Sequence, residues 1–180
     1  MKPRILLLLA IPLLIGASDA GRSPSSQTAA AELGKLEPFV GRWRGQSWIQ
    51  FGPDRRTAVV TEEVRFRQEG QLLTFEGKGT GTGADGGQVS THDALGVVFW
   101  DARSNRLLFH AYRSGVFLES PLELNSPRSF RWSFPDPRSG ATIRFTASIT
   151  PDGKWLEVGE HSRDGQQWAQ FFEMRLDRMP

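Results

Sequence analysis

Two glutamates sit where strand periodicity would carry them inside. Residues 57–67 alternate, with Ala58, Val60, Val64 and Phe66 on one face, and Glu62 falls on that same apolar face. A carboxyl buried there must find a partner or have its pKa raised. In residues 154–162 two faces compete: Leu156, Val158, Glu160 and Ser162 against Trp155, Glu157, Gly159 and His161. The first gives the interior two aliphatic residues and fits a core better, although Trp155 argues for the second. On the first reading Glu62 and Glu160 form a carboxylate pair, or pair with Arg, and orient the polar end of a ligand in an apolar cavity. The competing reading is a structural ion pair or a solvated strand end.

The three histidines are His92, His110 and His161. None lies at the close spacing of a zinc site, so no metal ligands are assigned. His110 and Tyr112 are two apart and share a strand face. There is no Gly-X-Ser-X-Gly elbow, and a triad built on Ser162 would have to assemble in space. The glycine series 77, 79, 81, 83, 86 and 87 lacks the Lys-Ser/Thr and helix of a phosphate loop. Alternate glycines here mark a bend, or a face on which something packs closely. No catalytic residue is assigned.

The elements that position these side chains are strands. From residue 41 to 178, runs rich in Val, Ile, Phe, Trp and Thr are separated by GPDR, QEGQ, ADGG, DARSN, NSPRS, PDPRSG, TPDGK and RDGQQ. They fall at residues 41–51, 57–67, 72–82, 89–100, 106–113, 116–124, 129–134, 141–149, 154–162 and 167–176, making about ten. Short turns make neighbours antiparallel, and a long meander protects its edges by closing. The expected fold is all-β, a single antiparallel up-and-down barrel of about ten strands, whose inside is the place for function. The last strand reads Trp168, Gln170, Phe172, Met174 and Leu176 on one face, with Gln170 as a polar intruder.

Residues 1–20 read as a secretory signal peptide: Lys2 and Arg4, an apolar run from Ile5 to Ile15, then small residues ending at Ala20. Residues 21–30 read as a disordered leader, and 31–180 as the barrel domain. Residues 31–39 form a short N-terminal helical turn over one barrel end, or a plain linker. The chain has no cysteine, so packing and ladder hydrogen bonds must hold it. Its formal net charge is only +2 and its arginines are spread, so no nucleic-acid patch is expected. No segment beyond residue 20 suits a membrane-spanning helix.

FVGRWRG at residues 39–45 carries a Gly-X-Trp-X-Gly start on the first strand. It resembles the calycin-like barrels, among them the lipocalins, fatty-acid-binding proteins and nitrobindin-like haem barrels. HDALGVVFWD (92–101) and WLEVGEHSRDGQQWAQFFEMRLDR (155–178) are similar to a bacterial family of unknown function with such a barrel. The resemblance implies a calycin-like fold and a ligand cavity, with no known reaction. Its haem-binding relatives place a proximal His on the final strand, where this chain has QFFEMRLDR, with Phe171 or a neighbour at the matching place. No cofactor is therefore assigned; haem stays as an alternative that needs His110, Tyr112 or His161 to project inward.

The expected function is an exported, periplasmic or extracellular barrel that holds a small, mostly apolar or amphipathic molecule. Its expected lining is Trp43, Glu62, His110, Tyr112, Trp132, Glu160 and Phe172. The competing classes are an enzyme, haem-dependent or using Glu and His as acid and base, and a solid barrel whose surface binds another protein.

Overall fold

The computed structural model describes residues 24–180; the expected signal peptide lies outside the described residues. Ten strands follow a single N-terminal helix: α1 (Pro24–Gly34), β1 (Gly41–Gln50), β2 (Arg55–Arg67), β3 (Leu72–Thr82), β4 (Gln88–Asp101), β5 (Arg106–Arg113), β6 (Val116–Ser126), β7 (Ser129–Pro135), β8 (Thr142–Ile149), β9 (Trp155–Ser162) and β10 (Ala169–Arg178). Each strand pairs antiparallel with its sequence neighbours, and β1 pairs with β10 from Trp43 opposite Arg178 to Ile49 opposite Phe172, closing the sheet. The architecture is a closed up-and-down antiparallel barrel. No strand edge is left unpaired, which removes the need for edge protection.

The turns follow from their residues. Arg113 pairs with Val116 across a two-residue loop in which Ser114 and Gly115 have φ of 50° and 76°. Two consecutive left-handed residues are what a type I′ hairpin requires, and glycine adopts that geometry without strain.

The helix starts earlier than the sequence implies. It begins at Pro24, so most of the stretch expected as a disordered leader is helical. Proline at the start of a helix costs nothing, because its missing N–H is one of the unbonded first-turn donors. Ala29, Leu33 and Leu36 are buried, which supplies the tertiary contact that a short helix needs. A 3-10 turn at Glu37–Phe39 then leads into β1. Leu33, Leu36 and Phe39 join Trp43, Val64, Leu73, Val98, Phe130, Trp155 and Leu176 in one apolar cluster that seals this end of the barrel. Arg178 locks the seal from the last strand. Its guanidinium donates to the Val40 and Pro38 carbonyls at 2.5 and 2.7 Å and lies 4.2 Å from the Trp43 ring.

A β-bulge on β10 sets the inner face of that strand. Gln170 opposes Glu160 and Phe172 opposes Gly159, leaving Phe171 as the extra residue. Phe172, Met174 and Leu176 therefore share the inside, while Gln170 moves to the outer side. The polar intruder of the sequence pattern is resolved by this one-residue shift.

Candidate functional site

Pairing registers define the inner wall. Trp43, Glu62, Gly77, Ala94 and Arg113 are successive partners across β1 to β5, and Gly45, Val60, Gly79 and His92 form the neighbouring row. On the other side Phe130, Ala147, Glu157, Met174 and Ser47 are successive partners from β7 through β10 to β1. The two halves differ in bulk. Beyond Trp43, the inner residues of β1 to β4 toward the mouth are small, chiefly Gly45, Ser47, Ala58, Gly77, Gly79 and Ala94. The facing strands carry rings.

Those rings run from the sealed end to the mouth. Trp43 meets Trp155 at 5.7 Å between centroids, Trp155 meets Phe75 at 6.1 Å, and Phe75 meets Phe109 at 6.3 Å. Phe109 then packs on Trp132 at 4.8 Å, Trp132 stacks on Phe145 at 4.7 Å, and Phe145 meets Phe172 and Phe171, each at 5.7 Å. Phe171 stacks on Phe51 at the rim, which is 70% exposed. These rings form a continuous apolar track along the inner wall.

Against that track stand Glu62, Glu157 and His92. All three are on the inner face and only half-buried. A β-carbon on Gly77 would lie against Glu62 Oε1 and 2.8 Å from His92 Nε2, so the two side chains converge over that glycine. Gly79 is likewise pressed on by His92, with the extra residue of a β-bulge (Thr91) beside it. The alternate glycines thus serve as a floor for packed side chains.

Burial, reinforced by the nearby Glu157, raises Glu62 from the ordinary carboxyl value to about 8. Burial likewise raises Glu157 to about 7, opposed by the Trp155 indole N–H, which favours the ionised form. His92 is held below its ordinary value by burial and by Arg113, with Asp93 opposing. The Trp155 indole nitrogen is 2% exposed as a residue and has no hydrogen-bond partner. It lies near Glu157 without reaching hydrogen-bond geometry. At neutral pH the site therefore offers a protonated carboxyl, a second carboxyl near its midpoint, a neutral imidazole and a free N–H donor. Among the described residues neither glutamate is in an ion pair, and no cluster of three metal-ligating side chains occurs.

The structure brings together only part of the expected lining. Glu62, Trp132 and Phe172 face the lumen as expected. Trp43 also faces inward, but it is fully buried at the sealed end and donates to the Phe39 carbonyl at 2.8 Å, so it is floor. His110, Tyr112 and Glu160 are on the outer wall. His110 pairs with Glu119 at 2.8 Å and packs edge-on against Phe99 and Phe117, and Tyr112 is 43% exposed. Their strand parity puts Leu107, Phe109 and Ala111 inside instead. Glu160 takes two bonds from Arg144, whose guanidinium lies 3.6 Å from the Trp168 ring. The inner face of β9 is Trp155, Glu157, Gly159 and His161, the reading that the aliphatic count disfavoured. Ser162 is bound into the following turn through Asp164 and Gly165.

Glu157 and His92 were outside the expected lining. Glu157 was legible as the other face of its strand, and Trp155 was the signal for it. His92 had no signal beyond its alternation with Ala94 and Gly96. Of the three residues considered as haem ligands only His161 faces in, 6.0 Å from the Phe171 ring. The final strand offers a phenyl ring where an imidazole would be needed, so these residues do not fit a haem held from that strand.

A cleft of about 650 Å³ opens at the β5–β6 tip. Gly77, Ala94, Arg113 and Val116 reach it from the inner face, and Leu95, Tyr112 and Phe117 from the outer. It shares only Gly77 with the polar cluster. Burial and chemistry, rather than size, place the candidate site in the lumen.

No protein-family model matches the chain, and no curated protein is similar to it. Among solved structures, Rv2717c from M. tuberculosis is similar over 89% of this chain and all of its own, with a TM-score of 0.56 and 12% identity. Lobster apocrustacyanin A1 matches 86% of this chain and 68% of its own at a TM-score of 0.35 and 14% identity. At such identities the first likeness speaks to the fold alone.

Proposed function

We propose that the barrel is an exported carrier or receptor that holds a small amphipathic molecule in its lumen. The apolar body lies along the Phe109, Trp132, Phe145 and Phe172 rings, and the polar end reaches Glu62, Glu157 and His92. One observation carries this reading: the buried Trp155 N–H lacks a partner in a barrel where the equally buried Trp43 has one. An unbonded buried donor costs about 1–3 kcal/mol, and a bound polar group or water recovers it. Contact of an apolar body with those rings adds the hydrophobic contribution.

Native mass spectrometry on protein purified from an envelope or culture fraction tests this. A co-purified molecule of a few hundred daltons that is lost in Trp132→Asp is the expected result. Protein at the apo mass, with tryptophan fluorescence unmoved by hydrophobic probes, would overturn it.

A further inference from the structure

We infer that the polar end of the ligand is a cation, a primary or secondary ammonium, seated between Glu62 and Glu157. This rests on the lumen reading and names its ligand class. Two carboxyls from β2 and β9 enter one lumen, and among the described residues no Lys or Arg is paired with either. Carboxylates withdrawn from water are ordinarily paired, so the partner that would ionise these two is cationic.

The groups around the pair are consistent with this. From β4 comes His92, with Asp93 on the outer side; from β5 comes Arg113, which is exposed and donates to the Thr91 carbonyl at 2.9 Å. From β3 the neighbour is Gly77, from β10 Met174, from β8 Ala147, and from β1 Trp43 and Ser47, none of them charged. Arg178 lies on the far side of Trp43, at the sealed end. The remaining inner surface is aromatic, and ring faces attract ammonium groups. A carboxylate-headed ligand, in contrast, would bring a third acid to two unpaired ones.

The Trp155 N–H fits the same arrangement. When an ammonium ionises Glu157, the Trp155 N–H, two residues away on the same face of β9, favours that carboxylate. An ammonium binding here must also expel the proton from Glu62. Binding and proton release are therefore linked, and affinity rises with pH until Glu62 is ionised in the free protein.

Three probes with one body and different heads decide the matter: decylamine, 1-decanol and decanoate, each titrated calorimetrically into the full chain. At pH 7, decylamine should bind about tenfold or more tightly than decanol and release about one proton, read from two buffers of different ionisation enthalpy. Its affinity should rise by about fiftyfold or more from pH 6 to 8.5, with decanol flat and decanoate falling. Glu62→Gln should cost the amine about tenfold or more and cost decanol much less. Decanol binding as tightly as decylamine without proton release would overturn the cation and leave the lumen reading intact. No measurable binding by any of the three would overturn both.

Discussion

Trp43 and Trp155 pack edge to face at 5.7 Å in the sealed end of the barrel, yet only Trp43 has a hydrogen-bond partner. Trp43 is held by the Phe39 carbonyl of the entry turn and belongs to the plug. Trp155 lies one layer nearer the lumen, two residues before Glu157 on the same face of β9. The boundary between structural core and candidate site runs between these two indoles. Trp155→Phe keeps the ring volume close and removes the N–H. Ligand affinity should fall while thermal stability changes by less than about 1.5 kcal/mol, measured by calorimetry and denaturant titration.

Stability should decrease with pH through a defined window. Glu62 titrates near 4.5 unfolded and about 8 folded. Between those values the folded state keeps a proton that the unfolded chain has released, so folding weakens as pH rises and levels off above about 8. The loss is on the order of 3 to 5 kcal/mol for this group. Glu62→Gln mimics the protonated form, so the variant should be more stable than the parent at pH 8.5 and nearly equal at pH 4.5. Melting curves across pH check it; parallel profiles for the two proteins would refute the assignment. His92 acts oppositely, its contribution being lost as pH falls below about 6.5, where the unfolded imidazole gains a proton that the folded one resists.

Gly77 is the floor on which Glu62 and His92 meet. Gly77→Ala puts a methyl group into that spot, and both side-chain tips must move. The cost to stability should be modest, about 1–2 kcal/mol, because the obstructing atoms are ends of flexible side chains. The effect on ligand affinity should be larger, since the two polar groups no longer converge. Equal affinity in parent and variant would show that convergence is irrelevant to binding.

Arg178 fastens the last strand over the plug. Arg178→Met removes two bonds to the Val40 and Pro38 carbonyls and the contact with Trp43. A loss of about 1–2 kcal/mol is expected in urea unfolding, with unchanged affinity for whatever the lumen holds.

The outer-wall group offers a control. His110→Ala and Glu119→Ala break an exposed pair at 2.8 Å. Each should shift stability by less than about 1 kcal/mol and leave lumen binding untouched. Haem titrated into the protein should produce no ligated Soret band. A band that is lost in His161→Ala would assign the inward imidazole of β9 as its ligand.

The sequence alone determined which segments are strands and where they turn. Side-chain alternation and Gly, Asn and Asp at the turns are local signals, and each expected strand lies within a few residues of an observed one. It also determined that Glu62 points inward, because four apolar neighbours at period two outvote one carboxyl. The start of α1 was not legible: residues 24–30 are helical only because Ala29 and Leu33 find a barrel end to cover. The face of β9 was decided by tertiary structure too. Leu156 and Val158 weigh about as much as Trp155 in a local pattern. The choice fell to register, where Gly159 makes room for the ring of Phe145 and the β-carbon of Phe172 while Glu160 finds Arg144 outside. Convergence of Glu62, Glu157 and His92 depends on closure, which brings β2, β4 and β9 around one lumen. Periodicity fixes which way a side chain points within its own strand, but only closure sets what stands across from it.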